Sequence, residues 1–292
     1  MSIEALHAAA WPPSRADRTR PVNEDSCAAD PSGPAAEWTY GDAAIGFVMS
    51  GWFEYASEDQ TTLAAPGSII LGNAGEAFSV RHIDTLGNRR LVVTFKRDLL
   101  EEVANEAGVS ARFDAIALPP SQAATRMFAY IRALSKRGSE DIRYQLAHAA
   151  LTAQQPRPHE NISARDRSRV QRAVGHIEAN FEDACSLQAL ADVAGLSRFH
   201  FVRMFGAVVG QTPNQYLINA RMRAASDRLM TTRTPIAQIA FEVGFNDISH
   251  FYSCFRDAFG CTPRQWRLRG GGKIAQETYE LRRAHSAEGV LF

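Results

Sequence analysis

From Ile45 to Phe95 the chain changes character every few residues. "IGFVMSGWFEY", "TTLAAPGSIILG", "EAFSVRHI" and "RRLVVTF" are brief runs rich in β-branched and aromatic residues, and Gly-containing breaks separate them at Ala65–Gly67, Gly72–Gly75 and Thr85–Asn88. Short strands at this spacing, with turn residues between them, predict a β-sandwich or barrel. After Phe95 the period becomes helical. "RDLLEEVANEAG" runs to a stop at Gly108, "SQAATRMFAYIRALSKRG" starts behind Ser121 as N-cap and ends before Gly138, and "SEDIRYQLAHAALTAQQ" predicts a third helix. Residues 1–36 are rich in Ala, Pro, Asp and Arg without a sustained period, which predicts a largely flexible arm with one short strand near Asp25–Ala28. The polar, Pro-containing residues 156–164 predict a linker.

The last third carries an internal repeat. "LQALADVAGLSRFHFVRMFGAVVGQTPNQY" and "IAQIAFEVGFNDISHFYSCFRDAFGCTPRQW" share Leu/Ile, Ala and Gly at 187/236, 191/240 and 195/244. His, Phe, Phe, Gly, Thr and Pro then coincide at 200/250, 201/251, 205/255, 210/260, 212/262 and 213/263. The second copy holds one extra residue in its turn, at Asn246-Asp247, and an insertion confined to a loop marks a structural repeat. Each copy reads as two helices about a Gly-centred turn, the helix-turn-helix unit. Phe201, Met204, Phe205 and Val208, and in turn Phe251, Cys254, Phe255 and Ala258, recur at i, i+3, i+4, i+7 and predict core-facing stripes.

At 100° per residue the opposite face of the first copy presents Phe199, Val202, Arg203 and Gly206, and that of the second Ser249, Tyr252, Ser253 and Arg256. Arg203 suits guanine O6 and N7, Phe199 and Val202 suit thymine methyls, and Ser249 and Ser253 suit either base type or phosphate. His200 and His250 fall on the flank of the stripes, as packed or phosphate-side residues. Between the copies "PNQYLINARMRAASDRLMTT" predicts a helix from Pro213 to Met230, a rod of about 27 Å. Such a rod can hold two probes roughly one DNA turn apart, ~34 Å. Arg221, Arg223 and Arg228 on it are candidates either for phosphate contacts or for a solvated face. Thr212 and Thr262 are expected to cap the helices that begin at Pro213 and Pro263.

Charge sharpens the division. The 292 residues carry 32 basic and 32 acidic side chains, but Arg165–Arg269 holds 14 Arg, no Lys and 9 acids, and the remainder is acidic to the same extent. That asymmetry is compatible with nucleic-acid binding. The four cysteines, Cys27, Cys185, Cys254 and Cys261, show neither CxxC pairing nor disulfide-scaffold density, so reduced thiols in a cytoplasmic protein are expected. The start lacks a signal-peptide pattern, and no run approaches the ~20 apolar residues of a membrane span.

On these residues, "HIEANFEDACSLQALADVAGLSRFHFVRMF", "GQTPNQYL.NARM..ASDRLM" and "PIAQIAFEVGFNDISHFYSCFRDAFGCTP", the chain from about Arg169 to Arg267 resembles the DNA-binding domain of AraC/XylS-type transcription regulators. The resemblance implies seven helices with two helix-turn-helix units gripping adjacent major grooves of promoter DNA, and base reading by Phe199, Val202 and Arg203, then Ile248, Ser249, His250, Tyr252 and Ser253. Many relatives carry Arg where this chain has Ser253, which shifts the expected weight of recognition to the first unit. More loosely, "VMSGWFEY…LAAPGSIILGNAGEAFSVRH…RRLVVTF" is similar to the cupin-like sensor domains attached to such regulators. The resemblance adds a small-molecule effector, dimerisation through the helices at 121–154, activation, and RNA polymerase as partner.

The expected fold is therefore α+β multidomain: arm (1–36), cupin-like barrel (37–115), helical segment (116–155), linker (156–164), all-α DNA-binding domain (165–269) and a flexible tail (270–292). No cofactor or catalytic metal is expected, since Gly46–Phe95 holds one His, His82, with Glu54 and Glu76, where a metal-binding cupin needs several His. An enzyme, either a cupin isomerase or oxygenase or a DNA-repair methyltransferase, is the alternative from another class, and the latter needs an activated Cys. A nucleoid-type binder without sequence preference is disfavoured by the neutral net charge.

Overall fold

The short alternating runs become strands in two five-stranded sheets. The computed structural model describes residues 10–11, 22–27, 35–83, 87–137, 140–153 and 162–269. Its strands are β1 (Ala10–Trp11), β2 (Asn23–Cys27), β3 (Ala36–Tyr40), β4 (Ala43–Ser50), β5 (Phe53–Ser57), β6 (Gln60–Ala64), β7 (Ile69–Gly72), β8 (Ala77–His82), β9 (Asn88–Phe95) and β10 (Ala117–Leu118). The sheets run β1-β3-β8-β5-β6 and β10-β7-β4-β9-β2, antiparallel except for the β1–β3 pair. Because strand side chains alternate, Phe53 and Tyr55 on β5 enter the buried core with Tyr40, Val48, Phe78, Val80 and Val92, while Glu54 between them points the other way. The hydroxyls of Tyr40 and Tyr55 meet inside at 2.8 Å. His82 continues the inward face of β8 and is buried, opposite Phe53.

The short strand expected near Asp25–Ala28 is present as β2, which pairs with β9 over five residues. Ion pairs hold it there, Glu24 to Arg89 at 3.0 Å and Asp25 to the nearly buried Arg90. "NEDSC" has no apolar alternation, and its partner strand's arginines hold it beside β9 together with the backbone ladder.

The helices are α1 (Arg97–Ala107), α2 (Gln122–Arg137), α3 (Glu140–Leu151), α4 (Ala164–Asn180), α5 (Leu187–Ala194), α6 (Arg198–Val209), α7 (Pro213–Thr231), α8 (Ile236–Glu242), α9 (Ile248–Phe259) and α10 (Pro263–Arg269). Gly108 ends α1 in the left-handed conformation, and the Ser121 hydroxyl accepts from the Ala124 amide at the start of α2. Ser163 caps α4. Most of the expected linker and all of residues 270–292 lie outside the described residues. Among the described residues no helix is long and apolar enough to cross a membrane.

The two halves share their cores. Trp52, Ala65 and Leu63 of the sheet domain pack with α4, α5 and α6, and Ala129 and Tyr130 of α2 pack into the core of α8, α9 and α10. Thus α2, expected to serve dimerisation, turns part of its apolar face inward onto α7 and α9. The Tyr216 hydroxyl lies 2.8 Å from the Pro66 carbonyl and 2.7 Å from a Glu178 carboxylate oxygen. Arg167 donates to Glu54 at 2.8 Å, and Arg81 completes the pairing on the strand alongside.

Burial pushes the Glu54 carboxyl upward, but hydrogen bonds and charge from Arg81 and Arg167 outweigh it and hold the group below its ordinary 4.5. A depressed folded-state value contributes stability that is present above pH 4.5 and lost as pH falls through the lower folded value. The two halves should therefore loosen on acidification below that point, seen as a rise in radius of gyration by small-angle scattering. Glu54→Gln should be looser at neutral pH and lack this step. An identical acid profile in the two proteins would refute the tie.

Candidate nucleic-acid interface

Each repeat builds the same object. In the first, Ser186 and Ser197 cap α5 and α6, their hydroxyls accepting from the amides of Ala189 and His200. Gly195 ends α5 with φ 65°, and the Arg172 guanidinium donates to the Val193 and Ala194 carbonyls at 3.3 Å, covering acceptors that the helix end leaves open. In the second, Asp247 caps α9 through the Ser249 amide at 2.8 Å, and Gly244 turns the chain with φ 91°.

The doubled Thr-Pro-x-Gln-aromatic now has a full physical account. Thr212 accepts from the Gln215 amide while the Gln215 side chain accepts from the Thr212 amide, a capping box with Pro at the first helical position. Thr262 and Gln265 repeat it at 3.2 and 2.9 Å. The aromatic then locks the unit. Tyr216 is fully buried edge-on to Phe205, and Trp266 packs on Phe255 and Phe259. As expected, Phe201, Phe205 and Val208, with Phe251, Phe255 and Ala258, form the buried stripes, while Met204 and Cys254 are half-buried at their edges.

The opposite faces are open. Phe199 is 83% exposed, Arg203 is exposed, and Val202 is half-buried between them. In the second unit Ile248, Ser249, His250, Ser253 and Arg256 are exposed and Tyr252 is half-buried, edge-on to Phe251. His250 rests against the Phe245 ring with centroids 5.5 Å apart. The nine candidate residues thus lie on two exposed helix faces joined by α7, a capped rod of 19 residues, about 28 Å.

The rod's arginines are not part of that surface. Arg221 donates to the Phe181 and Asp183 carbonyls at 2.7 and 2.9 Å, Arg223 to Glu178 at 2.6 Å, and Arg228 pairs with Glu182 and with Glu242 at 3.5 Å. They fasten α4 and α8 to the rod, because a guanidinium fork beside helix-end carbonyls and carboxylates is satisfied inside the protein. Conversely, Leu187 and Arg198 were not singled out by sequence. Leu187 matches core-like Ile236 in the repeat, yet it is 41% exposed and lines one concavity with Arg198, Phe199, Val202 and Arg203.

The chemistry open to cysteine here is limited. Burial pushes the Cys185 thiol up, and burial with the Asp257 charge does the same for Cys254. Among the described residues no group of three or more His, Cys, Asp and Glu is placed to hold a metal ion.

A two-sheet domain fused to paired helix-turn-helix units defines a class of two-part regulators. Residues 36–155 match the family described as "AraC-like ligand binding domain", and residues 190–269 match "Helix-turn-helix domain". The chain belongs to the AraC family of transcription regulators. It is 33% identical over 121 residues to the HTH-type transcriptional regulator ArgR of Pseudomonas aeruginosa, covering 41% of this chain and 37% of that one. With the transcriptional activator NphR of a Rhodococcus species it shares 39% identity over 103 residues, 35% of this chain and 30% of the relative. With the virulence regulon transcriptional activator VirF of Yersinia enterocolitica it shares 34% over 92 residues, 32% of this chain and 34% of the relative. The matched stretches span about a third of these curated relatives' own length.

Proposed function

We propose that this chain is a sequence-specific DNA-binding transcription regulator, an activator, that reads two adjacent major-groove segments of promoter DNA. The observation that carries the reading is the pair of exposed faces, on α6 and α9, held by one capped rod whose length suits neighbouring groove segments. Exposed arginines at 198, 203, 233, 256 and 264 supply the attraction to phosphate, and binding falls with salt accordingly. The sheet domain takes a small effector, and its packing against the first helix-turn-helix unit, with that of α2 against the second, gives that effector a route to the DNA-reading faces. Cytoplasmic location, homodimer formation and contact with RNA polymerase complete the reading by family. Because part of the apolar face of α2 is committed to α7 and α9, the dimer surface lies on the remaining faces of residues 121–154. The protein acts by binding and not by catalysis.

Selection of bound sites from a random duplex pool with the full chain tests this, and an unenriched pool would refute it. Arg203→Ala should weaken binding to the selected site by about 1–3 kcal/mol and relax one base-pair position. Equal loss on all sequences would make Arg203 a phosphate contact instead.

A further inference from the structure

The concavity beside the first reading helix is apolar where a DNA-binding face is ordinarily polar. Leu187, from the start of α5, and Phe199 and Val202, from α6, form it, flanked by Arg198 and Arg203. Phe199 is 83% exposed and Leu187 41%, an unfavourable display of large apolar groups unless something covers them. The flanking guanidiniums favour a polyanion as the cover, and the first turn of a reading helix is the part that meets base edges. In the major groove the thymine 5-methyl is the apolar group that bases offer.

Resting on the DNA-reading function proposed above, we propose that the first unit specifies thymine: one or two adjacent thymine methyls enter the Leu187–Phe199–Val202 concavity. Leu187 is thereby a specificity residue contributed by the supporting helix, not by the reading helix. Arg198 and Arg203 bracket the methyl site, Arg203 towards a neighbouring guanine and Arg198 towards phosphate. The second unit carries Ser249 and Ser253 at the positions that Phe199 and Arg203 hold in the first.

The experiment uses the full chain on its own selected site, with each thymine replaced in turn by deoxyuridine, which removes only the methyl. Binding should weaken about fourfold for each methyl that enters the concavity, at one or two adjacent positions under the first unit. Phe199→Ser and Leu187→Ser should bind uracil and thymine sites alike while keeping the wild-type urea midpoint, since both side chains are exposed. If a sequence is selected but uracil binds as tightly as thymine throughout, the thymine assignment is overturned and the DNA-reading function stands. If the loss occurs but persists unchanged in both variants, the methyl is read elsewhere and the assignment is likewise overturned. If no sequence is enriched, the underlying reading fails, and this inference with it.

Discussion

Gly244→Ala should destabilise the protein by about 3–5 kcal/mol, whereas the repeat-equivalent Gly195→Ala should cost only about 1 kcal/mol. Both glycines hold left-handed backbone, with φ 91° and 65°, so both substitutions carry conformational strain. Their surroundings differ. A Cβ at Gly195 meets nothing within 4 Å. At Gly244 it would stand 2.7 Å from the Glu182 carbonyl oxygen and 2.8 Å from the Arg221 guanidinium. That guanidinium is held by the Phe181 and Asp183 carbonyls and lies over the Phe245 ring at 5.6 Å, so it cannot yield without giving up those contacts. The joint between the two helix-turn-helix units is therefore where the damage falls. Urea denaturation of both variants checks the contrast, and equal losses would contradict the steric account.

Arg223→Ala should remove about 2–4 kcal/mol and separate the unfolding of the two halves. The Arg223 guanidinium sits between the Phe128 ring of α2 and the Tyr216 ring of α7, at 5.6 and 5.8 Å from their centroids, and donates to Glu178. Its NH1 also lies 3.0 Å from where a Gly67 side chain would begin. Burial alone lowers its proton affinity, but the Glu178 charge and the Tyr216 hydroxyl more than restore it, so the group remains charged. Deleting it takes the cation from Glu178, which keeps the Tyr216 hydroxyl and is 29% exposed, and this partial access to water holds the loss below that of a fully enclosed pair. Arg203→Ala, on the open face, should leave the urea midpoint unmoved. A single transition at the wild-type midpoint for Arg223→Ala would show that Arg223 does not brace the halves.

The repeat explains why so much of the helix-turn-helix half was legible. Its caps are local: Thr212 and Gln215 bond across three residues, so sequence spacing alone specifies them. The core stripes follow from the helical period, and the open faces from what the stripes leave over. In the sheet domain the alternation of β5 and β8 marks inward and outward residues in the same way. The edge strand β2 was legible only as a short stretch near Asp25–Ala28, because arginines 65 residues away hold it.

What the sequence determined by itself is everything set by neighbours within a few turns of chain: strand-rich and helix-rich halves, helix ends, the duplicated unit and its two exposed faces. Tertiary structure alone decided the rest, because long side chains choose partners by proximity in space. It made Arg221, Arg223 and Arg228 fasteners between helices, turned α2 against the second unit, and brought Leu187 beside Phe199. Each of these depends on how helices cross, which no residue spacing encodes.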